Sequence, residues 1–191
     1  DITDCLEAAT WAPSATNQQP WEFIVATGTE LEKINDLIEE NFAEAMGTDD
    51  PYGDIPEQCR LRQQEIMTTL MERVQEMGGN PNDVFEQMMR FFGAPVGVYF
   101  ITHKTNDYKY CLSTAAAIEN FLLAARSKGL GTCWLTVTVV PQEALKQHLG
   151  IADNKELIAG VALGYPEKDS KLNNFKRTRT PLTENTTWLG F

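Results

Sequence analysis

Residues 12–21 read Ala12-Pro-Ser-Ala-Thr-Asn-Gln-Gln-Pro-Trp21, a polar loop with a proline near each end. Before it, Ile2, Cys5, Leu6 and Ala9 recur at helical spacing and predict a helix over 1–11. After it, the apolar run from Trp21 to Ala26 predicts a buried strand. Between the prolines, Ser14, Thr16, Asn17, Gln18 and Gln19 offer hydrogen-bond donors and acceptors and no charge. Such a loop suits a neutral, flat, polar-edged ligand better than a metal or a bare phosphate. The same composition also suits an ordinary connector, because these are turn-forming residues.

The bulk numbers narrow the choice. A chain of 191 residues, 42% hydrophobic and 23% charged, suits one globular domain with a full core. A net charge of −11 argues against nucleic acid and against anionic membrane surfaces, both of which call for a basic face. No apolar run approaches a membrane span. The sequence opens on Asp-Ile-Thr-Asp with no secretory signal, so a trimmed opening and a cytoplasmic location are expected. Cys5, Cys59, Cys111 and Cys133 lie far apart with no CxxC, and His103 and His148 share no ligand spacing, so no metal site is expected.

Further along, Thr29 to Glu32 reads as a capping box opening a helix with Leu31, Ile34, Ile38 and Phe42 on its apolar face. Residues 47–56 form a breaker-rich loop. Residues 57–77 read as a long helix ended by Gly78-Gly79, and 82–92 as a second helix rich in Met and Phe. Core packing accounts for about half of those large side chains, and the rest suit an adaptable substrate pocket, with Phe85, Met88, Met89 and Phe92 as its candidates. Strands are predicted over 96–102, 132–140 and 157–163, with helices over 108–125 and after Pro141. Residues 167–191 lose all periodicity, so this tail is expected to be extended and to bury Trp188 and Phe191 on another surface, such as a partner subunit. The order of elements gives a single α+β domain over 1–191, with 47–92 as an inserted helical lobe or lid.

Protein-borne catalysis finds little support. GxSxG, HExxH, Walker and GxGxxG patterns are absent. The cysteines read as buried structural thiols rather than reactive thiolates, although a Cys–His pair stays open. A bound cofactor is the better carrier of any reaction.

Several segments, in order, resemble the FMN-dependent nitroreductase family. They are Ala12 to Trp21 before an apolar strand, Phe92-Gly-Ala-Pro95 before another, and Gly129-Leu-Gly-Thr-Cys-Trp134 after the long helix. Gly160-Val-Ala-Leu-Gly-Tyr-Pro166 and the tail Arg177-Thr-Arg179-Thr-Pro-Leu…Trp188-Leu-Gly-Phe191 complete the set. The helical insertion and the final Gly-Phe look like the branch of nitroaromatic and quinone reductases.

The resemblance implies a three-layer α+β sandwich with a mixed, mainly antiparallel central sheet flanked by helices. It also implies a homodimer with FMN at the interface and C-terminal tails exchanged between subunits. Pro13, Ser14, Ala15, Asn17 and Gln19 would contact FMN from one subunit, and Trp134, Leu135, Thr136 and Val137 from the other. A backbone N–H of Thr136 or Val137 would face the flavin N5 or O4, where developing charge needs a donor. Ser113 would touch the flavin from its helix, and Arg177 and Arg179 would hold the phosphate. An Arg-Ser-x-Arg motif that precedes the first helix in the family falls before the start of this sequence, so either the opening is trimmed or a phosphate clamp is lacking.

The function so implied is reduction of a small-molecule acceptor, a nitroaromatic or a quinone, by NAD(P)H, donor and acceptor using one site in turn with ping-pong kinetics. Two alternatives stay open: a flavin-storage or sensing module without turnover, and another flavin reaction on the same scaffold, such as reductive dehalogenation. The lobe at 82–92, with Asp83, Glu86 and Arg90 as its only charges, fits a zwitterion-gripping lid less well.

Overall fold

The computed structural model describes residues 1–47, 55–105 and 107–190. The chain divides into two compact units, Asp1–Asp54 with Asn82–Pro166, and Ile55–Pro81 with Glu167–Phe191.

The first unit is built on a sheet of β1 (Glu22–Thr27), β2 (Val96–His103), β3 (Gly131–Leu135) and β4 (Lys155–Gly164) in the order β1-β2-β4-β3. Every described ladder is antiparallel, so the expected mixed sheet is here wholly antiparallel. The register pairs Glu22 with Ile101, Tyr99 with Gly160, and Leu135 with Gly160, and slips by one residue between Phe100 and Ile101. The central strand β2 is buried from Gly97 to Thr102, which explains its unbroken apolar run: both of its faces are covered.

One face carries α1 (Ile2–Thr10) and α5 (Lys109–Ser127). Cys5 and Ala9 pack with Ala117, Ile118, Phe121 and Ala125 over Val98, Phe100, Ala159 and Val161. Small residues let the two helices approach, and Asn120 Nδ2 donates to the Ala8 carbonyl at 3.2 Å. The other face carries α2 (Gly28–Met46) and α6 (Gln142–Leu149), whose Leu31, Ile34, Ile38 and Leu145 cover Tyr99, Ile101, Leu157 and Ala162. The result is a helix–sheet–helix sandwich with two cores.

Several local expectations change. The strand at Trp21–Ala26 is half-exposed because β1 is an edge strand, with only Ala26 fully buried along Glu22–Thr27. The capping box at Thr29–Glu32 does not form; α2 begins at Gly28 with Thr27 at its N-cap and no side-chain cap bond. The strand predicted over 132–140 ends at Leu135, because Thr136 turns into the helical region and Val137–Val139 form a 3-10 turn. The helix predicted over 82–92 is the shorter α4 (Asp83–Met89), followed by Phe91 and Phe92 at φ of 53° and 55°. Cys59 is exposed, and Cys111 and Cys133 are half-buried; only Cys5 is the buried thiol that was expected of all. Most of the predicted breaker loop, residues 48–54, lies outside the described residues.

The second unit holds α3 (Glu57–Glu76), no residue of which is fully buried, and α7 (Leu182–Asn185). Gly78 and Gly79 close α3 in a Schellman motif, their N–H groups donating to the Gln75 and Val74 carbonyls. Lys171 Nζ reaches Glu76 at 3.3 Å and ties the last segment of the chain to that helix. Trp188 and Leu189 are 63% and 82% exposed, so the expected burial of Trp188 does not occur within the chain; Phe191 lies outside the described residues. Among the described residues, no helix is long and apolar enough to cross a membrane.

Candidate functional site

The 12–21 loop is anchored at both ends and strained in the middle. Ala12, Pro20 and Trp21 are buried, and Thr102 Oγ1 donates to the Pro20 carbonyl at 3.2 Å. Between them, Thr16, Asn17 and Gln19 hold φ of 47°, 60° and 49°, the left-handed region that side chains other than Gly, Asn and Asp seldom occupy. The turn closes on itself: Asn17 N–H donates to the Ser14 carbonyl at 3.1 Å, and Gln19 N–H to Ser14 Oγ at 3.0 Å. Ser14 therefore shapes the loop. Pro13 and Asn17 face solvent, and Ala15 is half-buried. Left-handed residues held by their surroundings cost on the order of 1–3 kcal/mol each and cluster at ligand sites.

The turn packs against α5, the helix that carries Ser113. Ser113 is buried, and its Oγ donates to the Lys109 carbonyl at 2.9 Å, leaving its oxygen free only as an acceptor. Trp134 is 37% exposed at the edge of the sheet, whereas Leu135 is buried and forms the last ladder pair of β3. Thr136 and Val137 follow that pair. The 3-10 turn uses the N–H groups of Val139 and Val140, donating to the Thr136 and Val137 carbonyls at 3.2 and 3.3 Å. The first N–H groups of a helical turn have no partner within the turn itself. Thr138 Oγ1 donates to the Leu135 carbonyl at 2.8 Å and fixes the bend.

Loop 12–21 leads into β1 and segment 134–137 leads out of β3, and these are opposite edges of the sheet. Three strand spacings separate them, about 14 Å. The structure does not bring these two groups of residues together within one chain's sheet.

In the second unit, Arg177 and Arg179 line a cavity of about 840 Å³. Arg177 donates to the Leu172 carbonyl at 3.3 Å and its guanidinium lies 4.3 Å from the Phe175 ring centroid. Arg179 donates to its neighbour's carbonyl, Thr178, at 2.7 Å. Neither forms an ion pair among the described residues. Arg62 on α3 lines the same cavity. Nothing in the local sequence marked Arg62, because a lone basic residue on a polar helix looks like any solvated surface charge.

The Met and Phe lobe divides. Met88 and Met89 pack on the core beneath α2, whereas Phe85 and Phe92 are 41% and 45% exposed. Phe85 meets Phe42 edge-on, with ring centroids 5.2 Å apart. Arg90 fastens the lobe to α2, donating to Glu39 at 2.7 Å and Asp36 at 3.1 Å, and the Asp36 hydrogen bond leads the interactions that raise its pKa. Beside it, Asn35, Gln87, Gly93 and Arg90 line a smaller cavity of about 320 Å³, where Asn35 Oδ1 is buried without a partner among the described residues.

The first unit is thus an α+β sandwich with a strained, uncharged loop leading into one sheet edge and the partly exposed Trp134 on the other. The chain belongs to the nitroreductase family, whose model matches residues 1–165. It is 27% identical to a nitrobenzene nitroreductase of Ectopseudomonas oleovorans over 98% of this chain and 86% of that protein. It is 29% identical to a 4-nitrobenzoate reductase of Pseudomonas putida over 100% of this chain and 86% of the relative. Among solved structures, the FMN- and NADPH-dependent nitroreductase NfnB of Sphigopyxis sp. strain HMH superposes with a TM-score of 0.88 at 23% identity, covering 100% of this chain and 89% of the other.

Proposed function

We propose that this protein is an FMN-dependent oxidoreductase that uses NAD(P)H to reduce nitroaromatics, quinones or similar small acceptors. The carrying observation is the division of chemistry on the chain: uncharged hydrogen-bonding groups on the 13–19 loop, and arginines without carboxylate partners at 177 and 179. A flavin mononucleotide has the matching two ends, a neutral polar-edged ring and a dianionic phosphate. The residues fit it. Asn17 presents a donor and an acceptor to solvent, Thr136 is exposed at the start of the 3-10 turn, and Arg177 and Arg179 line a cavity.

In this reading Pro13, Ser14, Ala15, Asn17, Gln19 and Ser113 hold the ring from one side. Trp134, Leu135, Thr136 and Val137 hold it from the other, and Arg177 and Arg179 bind the phosphate. Bound FMN supplies two-electron transfer between NAD(P)H and the acceptor, which take one place in turn and so give ping-pong kinetics. Backbone donors at 136 and 137 stabilise negative charge where it develops. The exposed Phe85 and Phe92, with Met88 and Met89 behind them, shape the acceptor site.

The active form is a homodimer in the cytoplasm. Opposite sheet edges contribute to one ring most directly from two copies, and Trp11, Leu112, Leu123 and Tyr165 leave large apolar surface exposed. Each 167–191 tail crosses to the partner subunit, whose surface covers the tail's Trp188. The 191 residues act as one domain, with 47–92 as the lid.

The test is anaerobic. The purified protein should show a flavin visible spectrum that bleaches on adding NADH or NADPH and returns with a nitroarene or quinone. A flavin that stays oxidised with both donors overturns the proposal. Sedimentation should give twice the chain mass.

A further inference from the structure

Thr138 is a fully buried polar residue to which the flavin reading gives no part. It is held at both ends. Its Oγ1 donates to the Leu135 carbonyl at 2.8 Å, and its own carbonyl accepts from the buried Tyr99 hydroxyl at 3.4 Å. Gly160 makes the room, because a Cβ there would collide with Thr138 Oγ1. Residues 137, 139 and 140 of the same bend are valines. A valine would fill the space of Thr138 as well, so its hydroxyl adds a directed hydrogen bond rather than volume.

That bond falls on one particular peptide. The Leu135 carbonyl and the Thr136 N–H belong to the same planar, trans unit, in which C=O and N–H point in opposite directions. The hydroxyl that pins the carbonyl therefore also fixes the N–H, aiming it away from the buried Thr138 at the exposed residue 136. Donation to the carbonyl polarises the amide as well, which strengthens its N–H as a donor. The next peptide is held by the backbone itself, with the Val139 N–H donating to the Thr136 carbonyl at 3.2 Å. A change at the Thr138 side chain thus acts first on the Thr136 donor. We propose that Thr138 is a positioning residue for the reduced flavin: its hydroxyl orients and polarises the Thr136 N–H, making it the stronger of the two donors at 136 and 137. The proposal rests on the flavoprotein reading for its ligand.

The experiment compares the wild type with Thr138→Val, which keeps the shape and removes the hydroxyl, and with Thr138→Ser, which keeps the hydroxyl. Each is loaded with FMN, and the two-electron potential of the bound flavin is measured against a reference dye. Thr138→Val should weaken reduced FMN relative to oxidised FMN by about three- to tenfold, and tenfold in a two-electron couple is about 30 mV to the negative side. Thr138→Ser should keep the wild-type potential although it loses a buried methyl group and some stability. A merely structural role gives another pattern: both variants melt earlier and neither moves the potential. A second readout uses the ¹⁵N-labelled wild type, in which the Thr136 amide proton should shift further than that of Val137 when the bound flavin is reduced. If Thr138→Val does not fold, this second readout decides. Equal potentials in all three proteins, or a Thr136 amide that reduction does not move, overturn the proposal. A wild type that takes up no FMN, seen as the absence of a bound-flavin spectrum, overturns the flavoprotein reading itself and this role with it.

Discussion

Phe91 and Gly160 touch across the second core: a Cβ built on Gly160 would come within 2.9 Å of the Phe91 ring, which is fully buried. Gly160 sits opposite both Tyr99 and Leu135 in the register, and the Thr138 hydroxyl presses on the same point. The glycine is therefore the space that Phe91 occupies. Gly160→Ala should destabilise the protein by about 1–3 kcal/mol, read as a lower urea midpoint with an unchanged slope.

Ser14 closes the 12–21 loop by accepting the Gln19 N–H at 3.0 Å. Ser14→Ala removes that acceptor and should release the left-handed turn at a cost of about 1 kcal/mol. Hydrogen exchange at the Gln19 amide should accelerate, with the exchange of β2 unchanged.

Arg90 joins α2 to the Met and Phe lobe through Glu39 and Asp36. The Arg90 and Glu39 side chains are 28% and 29% exposed, so solvent screening is partial. A double-mutant cycle with Arg90→Met and Glu39→Gln should give a coupling of about 1 kcal/mol that shrinks in high salt. No coupling would make the contact incidental.

Asp4 accepts from Lys128 Nζ at 2.6 Å. That hydrogen bond and then the Lys128 charge hold the Asp4 carboxyl below 3.8, and the same hydrogen bond raises Lys128 above 10.5. The carboxylate's contribution is present above its unfolded value and is lost as pH falls through the lowered one. The ammonium's is present below its own unfolded value and lost as pH rises through the raised one. The tie between α1 and α5 thus holds at neutral pH and fails at both extremes. Lys128→Met should move the Asp4 titration, followed by NMR, upward toward 3.8.

The thiols should separate by reactivity. Cys59 is exposed, whereas burial raises both Cys5 and Cys111, and Cys111 Sγ also faces Glu156 at 3.6 Å. A thiol reagent at neutral pH should modify Cys59 first and Cys5 only on unfolding.

The periodic parts of the chain were legible. Leu31, Ile34 and Ile38 mark the buried face of α2, and the two-sided apolar run of β2 marks the sheet centre. What failed were features fixed by neighbours. The edge position of β1 depends on strand order, which no local pattern carries. The bend after Leu135 is enforced by Thr138, although Val137–Val140 are as β-branched as any strand. The motifs in order were legible as a family resemblance, which the family model over residues 1–165 bears out, whereas nothing local marked Arg62, whose place beside Arg177 and Arg179 is set by residues more than a hundred positions away.

The strand order also bears on how the chain reaches this state. β1 pairs with β2 across the whole of α2, α3 and α4, and β2 with β4 across α5, β3 and α6; no described pair of strands is a tight hairpin. Each ladder closes a long loop before it gains contacts, so the sheet cannot grow by zipping outward from a turn. Refolding should therefore wait on closing these long-range ladders. This fold has its slow step in assembling the strands, not in forming the helices that cover them.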